Sequence, residues 1–293
     1  MAEWPALITF FATLALYIVT MYPDLTGGDA PELISAAVLG GVPHPPGYPT
    51  FCLVSRAFAA LPFQGTLARR MNLCTSVLGA AAAALLHASV QLRTGSSVAG
   101  AAASLALQPP VSLGSRHSSG ATRWSLLHTR MCTYARGISA HANDLVHKHV
   151  WTHVGLLQVQ SDVFGLSNFL AAAILLSTIY TFHTRYFHAA MLTALICGLA
   201  LTNQHTSIFL VLPVAVAVLA VGYDTTPARQ LGRWAGAMRR SLLLFLCGTV
   251  GLAPYLYLPL AARNGALVSW GDCASLKGFI RHLSRAEYGA QLW

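Results

Sequence analysis

Seven apolar runs divide this chain, at 1–22, 47–63, 71–92, 163–182, 188–203, 206–222 and 241–261. About 20 apolar residues in helical form are needed to cross roughly 30 Å of hydrocarbon. The runs therefore predict an all-α polytopic membrane protein. The composition agrees: 9% of residues are charged, 55% are hydrophobic and the mean hydropathy is +0.56. Those values lie outside the range of soluble globular domains.

Individual runs carry further expectations. Met1 to Tyr22 has no basic leading region and no A-x-A site before the polar loop that follows, so it reads as a retained helix and not a cleaved signal peptide. The run 47–63 is short and contains Arg56, which is expected to face the bundle interior or to snorkel. In 71–92, Ala80 to Ala84 would let a neighbouring helix approach closely. The stretch 97–111 is short for a span and ends near Pro109-Pro110.

Charge patterning orients the runs. The loop 224–240 holds Arg229, Arg233, Arg239 and Arg240 against Asp224, which marks it as cytoplasmic. Arg69-Arg70 is read the same way. Both assignments hold together if 97–111 is a half-span that returns to its own face. Four polar clusters then share the non-cytoplasmic face: loop 23–49, Asp162, the Asn203-Gln204-His205 corner and the tail 263–293.

Some functional classes are disfavoured. The net charge of +9 comes from basic residues scattered at the ends of apolar runs, so no nucleic-acid partner is expected. The six cysteines form no CxxC pair, and neither a disulfide framework nor a zinc site is expected. No glycine-rich loop between strand and helix suggests a soluble nucleotide-sugar site.

Between Ser112 and His153 the apolar pattern breaks down into a stretch with six histidines and five basic residues. The spacing of His141, His147, His149 and His153 is compatible with metal ligation. No neighbouring carboxylate pattern or cysteine completes such a set, and a flexible loop is the ordinary alternative. The preferred reading of 112–158 is an irregular insertion arising from translated intron or a mis-assembled gene, and no metal site is expected.

Candidate site residues cluster in the polar segments. In GGDAPEL, Asp29 and Glu32 sit where a helix would begin, so they share a face and also suit an N-cap and a first turn. Glu32 would orient an acceptor or couple to Asp29 as a like charge; Asp24, beside Pro23, reads as a loop residue. His44 and Tyr48 lie in HPPGYP, where three prolines restrict the backbone. Asn203, Gln204 and His205 interrupt two apolar runs, either as a tight turn or as polar contacts to a substrate. Asp162 stands at a helix start. In the tail, Trp270, Asp272, Arg281, His282, Arg285 and Glu287 combine an aromatic with charges suited to sugar and phosphate. Leu276, Phe279, Ile280 and Leu283 recur there at the spacing of an interfacial helix.

The segments GGDAPELISAAVLGGVPHPPGYPTF (27–51), ARRMNL (68–73), SDVFGLSN (161–168), CGLALTNQHT (197–206), GLAPYLYLPL (251–260) and SWGDCASLKGFIRHLSRAEYG (269–289) resemble the transmembrane protein 260 family. Its members are endoplasmic-reticulum protein O-mannosyltransferases of the GT-C superfamily. The resemblance implies a GT-C-like helix bundle with lumenal loops, multi-pass in the endoplasmic reticulum membrane. It further implies inverting transfer of mannose from dolichyl-phosphate-mannose to Ser or Thr hydroxyls of receptor ectodomains, the plexin-type immunoglobulin-like domains. The lipid-linked donor is a substrate, and no cofactor is expected.

Asp29 matches the family's GGD position and becomes the expected base, with Glu32 as the second catalytic carboxylate. His44, Tyr48, Asp162, Asn203, Gln204, His205, Trp270, Asp272, Arg281 and Arg285 are the expected substrate contacts. The chain then divides into an N-terminal transmembrane part, 1–111, with the catalytic loop 23–49, the insertion 112–158, transmembrane helices at 159–262 and an interfacial tail, 263–293. Family members continue into further spans and a long lumenal region, so a truncated member is expected. A catalytically inactive scaffold and a polytopic transporter are the rival classes. A transporter would show ionisable residues within several spans and a repeated half, whereas only Arg56 lies well inside a run and no repeat is visible.

Overall fold

The computed structural model describes residues 4–62, 64–105, 162–221 and 233–286. Over these residues the chain is a bundle of α-helices, with one isolated parallel bridge between Val42 and Ser269 and no strand. The helices are α1 (Trp4–Thr20), α2 (Ala30–Leu39), α3 (Pro49–Ala59), α4 (Leu67–Thr94), α5 (Ser97–Leu105) and α6 (Val163–Thr184). They continue with α7 (Phe187–Asn203), α8 (Ile208–Ala220), α9 (Arg233–Gly251), α10 (Tyr257–Arg263) and α11 (Leu276–Leu283).

By length and composition α4 and α6 suffice to cross a membrane, and α9 with the bent continuation Ala253–Arg263 makes a third candidate. Trp4–Thr20, Phe187–Asn203 and His205–Ala220 are apolar but shorter. Their outward residues are apolar too, as at Phe11, Val19, Leu192, Phe209 and Leu212, which suits contact with lipid.

Polar bonds and close approaches fix how the helices run. Thr9 Oγ1 bonds His87 Nδ1 at 2.7 Å, Tyr17 packs on Ala80, and Asn72 Nδ2 donates to the carbonyls of Tyr22 and Asp24, both at 3.0 Å. Helices α1 and α4 are therefore antiparallel. Gly165 lies against Thr75, where a Cβ would collide, so α6 runs parallel to α4. Asn203 Nδ2 reaches the Val163 carbonyl at 3.1 Å, which returns α7 to the start of α6. Gly198 meets Gly248 and Gly251 backbone to backbone, and small residues permit that approach of α7 and α9.

Two ends of the bundle follow. The five carboxylates among the described residues (Asp24, Asp29, Glu32, Asp162 and Asp272) all belong to loops or helix starts at the end where α4 and α6 begin. Arg93, Arg185, Arg239 and Arg240 lie toward the other end. The main core gathers Leu33, Phe51, Met71, Leu166, Ile174 and Ala200 from α2, α3, α4, α6 and α7.

Two expectations need correction. Run 47–63 does not cross: α3 has 11 residues, about 16 Å at 1.5 Å per residue, and α2 and α3 together lead back to the start of α4. As a consequence Arg69-Arg70 lies at the same end as loop 23–49, not the opposite one. The run misleads because part of its apolar surface, Phe51 and Cys52 among it, packs into the core with α4 and α7, while Leu53 and Leu61 stay exposed. Of 97–111, only 97–105 is described, as α5. Segment 112–158, with its histidines, and Glu287 lie outside the described residues.

Candidate functional site

From Gly40 to Cys52 every residue is buried except His44, which is partly exposed. That is an unusual state for a loop, whose backbone groups need partners away from water. Several are supplied by the tail. Val42 N–H donates to Val268 O at 3.1 Å, and Trp270 N–H donates to Val42 O at 2.9 Å. The Tyr257 hydroxyl donates to Gly41 O at 2.8 Å. Gly41 has no room for a Cβ, which would collide with the Val268 carbonyl. Gly47 adopts φ 92° and faces Leu258 and His282, a conformation that favours glycine. The Pro45-Pro46 bond is cis. Restricted backbone and burial hold His44 in one place, turned outward.

Around it stand four further residues. Glu32 accepts both the His44 backbone N–H at 2.7 Å and Nδ1 at 3.0 Å. On the other side of the ring, Nε2 lies 3.2 Å from the Tyr48 hydroxyl and 4.0 Å from Asp29 Oδ2. The Trp270 ring stands edge-to-face to His44 with centroids 6.5 Å apart, and it is 45% exposed. An exposed aromatic face beside carboxylates is a surface on which a sugar ring can stack.

Asp29 occupies the N-cap position of α2, yet its side chain makes no capping hydrogen bond and is 66% exposed. The capping role that its spacing allows is thus not used, and the carboxylate faces the open side of the site. Glu32 is less exposed, at 26%, and its two bonds go to His44. Its carboxylate is committed to the histidine, where the sequence reading gave it to the acceptor or to Asp29.

Asp162 comes from the other half of the fold, as the N-cap of α6, accepting from Val163 N–H at 2.6 Å. Burial pushes its carboxyl up to about 6, the Asp29 charge adds to the rise, and the Val163 bond and His44 oppose it. Asp162 therefore shares an electrostatic field with Asp29 and His44, although it is distant from them in sequence.

The Asn203-Gln204-His205 corner makes bonds within the bundle. Asn203, 1% exposed, donates to Val163 O and to Ser167 Oγ at 2.8 Å. Ser167 in turn donates to Gln204 Oε1 at 2.8 Å. His205 Nε2 meets the Tyr255 hydroxyl at 2.8 Å, which donates onward to Leu201 O at 2.9 Å. These side chains tie α6, α7 and the Ala253–Leu256 turn together at the site end. Ser167 and Tyr255 were not singled out from the sequence, though both fall inside the segments SDVFGLSN and GLAPYLYLPL.

In the tail, Asp272 is exposed and accepts from Ser275 Oγ at 2.6 Å, while Ser275 caps α11 through Gly278 N–H at 3.1 Å. The Ser275 hydroxyl bond holds the Asp272 carboxyl below its usual range. Asp272 thus supports a helix start and is not turned to His44. Arg281 and Arg285 are exposed, and Arg285 lies within electrostatic reach of His205. The expected single apolar face of α11 is split. Phe279 and Leu283 pack inward on Val42, Leu258 and Cys273, while Leu276 and Ile280 remain 75% and 56% exposed.

Asp29, Glu32, His44, Tyr48 and Trp270 are thus brought together, with Asp162 coupled through space; Asn203, Gln204, Asp272 and Arg281 have other partners or positions. Residues 29–227 match the family described as Protein O-mannosyl-transferase TMEM260 N-terminal domain. The chain is 28% identical over 299 residues to "Protein O-mannosyl-transferase tmem260" of Dictyostelium discoideum, covering 96% of this chain and 30% of that protein. It is 31% identical over 286 residues to "Protein O-mannosyl-transferase TMEM260" of Mus musculus, covering 96% and 34%. The chain spans about a third of the length of these curated relatives. No solved structure matches it.

Proposed function

This chain belongs to the TMEM260 family of protein O-mannosyl-transferases, and on that premise we propose that its carboxylate end transfers mannose from dolichyl-phosphate-mannose to a Ser or Thr hydroxyl. The acceptors are receptor ectodomains, the plexin-type immunoglobulin-like domains, and the membrane is that of the endoplasmic reticulum with the site end facing the lumen. The observation that carries this reading is Asp29: an exposed carboxylate that declines its cap, beside a histidine and an aromatic face.

Transfer with inversion needs a base on the acceptor side and charge stabilisation on the phosphate side. The acceptor oxygen forms a bond to mannose C1 while the bond from C1 to the phosphate oxygen breaks, its electron pair leaving with the phosphate. Asp29 receives the hydroxyl proton. Trp270 offers its face to the sugar, and Arg285 supplies positive charge where the phosphate accumulates it. Asp162, whose carboxyl burial raises to about 6, is largely ionised at neutral pH and stays an acceptor at the start of α6.

Incorporation of labelled mannose into an ectodomain acceptor tests the reading. Transfer that requires the unmodified chain and is lost with Asp29→Asn supports it, and transfer that persists in the variant removes Asp29 from the base role.

A further inference from the structure

We propose that Glu32 is a positioning residue that acts through His44, fixing the imidazole so that Nε2 faces Asp29 and receives the proton that Asp29 takes from the acceptor. The inference rests on the functional reading above and assigns a new role within that site.

The geometry is specific. One Glu32 oxygen accepts the His44 backbone N–H at 2.7 Å and the other accepts Nδ1 at 3.0 Å. An ionised carboxylate only accepts hydrogen bonds, so the ring proton of the neutral imidazole sits on Nδ1. Nε2 is then the open position, and it points to Tyr48 at 3.2 Å and to Asp29 at 4.0 Å. The backbone bond sets the place of His44 and the side-chain bond sets its rotation. A purely structural Glu32 would need only the first.

The second station has a chemical reason. When Asp29 has taken the acceptor proton it is a neutral acid and cannot serve the next cycle. Moving the proton to Nε2 breaks the Asp29 O–H bond and forms an N–H bond, which restores the carboxylate and leaves an imidazolium between Glu32 and Asp29. Nothing is oxidised or reduced, and the proton later passes to water through the exposed edge of the ring. A gap of 4.0 Å closes through one water or through movement of the exposed Asp29 side chain. Tyr48 serves both states, because a hydroxyl donates to neutral Nε2 and accepts from the charged ring. The other groups bearing on His44 are Asp162 at the start of α6, through space, and the uncharged Trp270 ring.

Two readouts on the full chain in lipid nanodiscs decide the matter. Nitrogen-15 spectra of labelled histidine, with the His44 signal identified by its loss in His44→Gln, report the ring tautomer at alkaline pH. The proposal expects the proton on Nδ1 in the unmodified chain and on Nε2 in Glu32→Gln, whose amide must donate to Nδ1. In transfer kinetics, Glu32→Gln should lower kcat by about 100-fold with KM little changed, and His44→Gln should remove one ionisation from the pH profile of kcat. A proton on Nε2 in the unmodified chain, or a tautomer indifferent to Glu32→Gln, overturns the positioning. A Glu32→Gln effect confined to KM with an unaltered pH profile overturns the relay. If the unmodified chain transfers no mannose, the functional reading and the relay both fall, and the spectra still decide the positioning.

Discussion

The Trp270 N–H donates to the Val42 carbonyl at 2.9 Å, so the tail is bonded directly to the loop that carries His44. Beside this bond Gly41 touches the Val268 carbonyl with no space for a side chain. Gly41→Ala should force the two segments apart, lowering stability by about 2 kcal/mol and exposing residues 264–286 to protease. Thermal unfolding in detergent with limited proteolysis checks this; an unchanged digestion pattern would mean that the tail does not depend on the contact.

Asn203 is buried and its amide serves Val163 O and Ser167 Oγ. Asn203→Ala should cost about 2 kcal/mol, because buried partners lose their bonds. The folded fraction should keep its KM for the lipid-linked donor. A raised KM at unchanged stability would instead make Asn203 a substrate contact.

Asp162 titrates at about 6 in the folded chain against 3.8 for the ordinary group. Its folded form binds the proton more tightly than the unfolded form, so its contribution to stability falls as pH rises from about 4 to 6 and the full cost remains above that window. Asp162→Asn keeps a capping oxygen and should flatten this part of the stability profile, with a gain on the order of 2 kcal/mol at neutral pH. A profile identical to that of the unmodified chain would contradict the burial argument.

Arg69 should lie on the same side of the membrane as loop 23–49, because α4 starts where Asn72 holds the carbonyls of Tyr22 and Asp24. Cysteines placed at Arg69 and at Leu25 should react with an impermeant thiol reagent from one side of sealed vesicles, and cysteines at Arg93 and Arg185 from the other. Reaction of Arg69→Cys with the second pair would restore the crossing that the apolar run 47–63 suggested.

The sequence made the long helices legible because their apolar residues are local and continuous, as in 163–182, which became α6 over Val163–Thr184. It misled at 47–63 because hydropathy does not distinguish residues that pack on neighbouring helices from residues that face lipid. Asp29 was legible as a carboxylate at a helix start, but only the structure shows that it makes no cap. Glu32 was given to Asp29 or to the acceptor, since no local pattern reveals that a loop folds back to set His44 on its oxygens. The role of Asn203 was left between turn and substrate contact for the same reason: its partners, Val163 and Ser167, lie on another helix.

The most direct test is mannose transfer by microsomes containing the chain, its Asp29→Asn variant or neither, with dolichyl-phosphate-mannose as donor and a receptor ectodomain as acceptor. The account predicts label above the empty control with the unmodified chain and a loss of at least about 100-fold with the variant, at equal expression. Equal labelling by both forms would contradict the base assignment, and no labelling by either would contradict the proposed transfer.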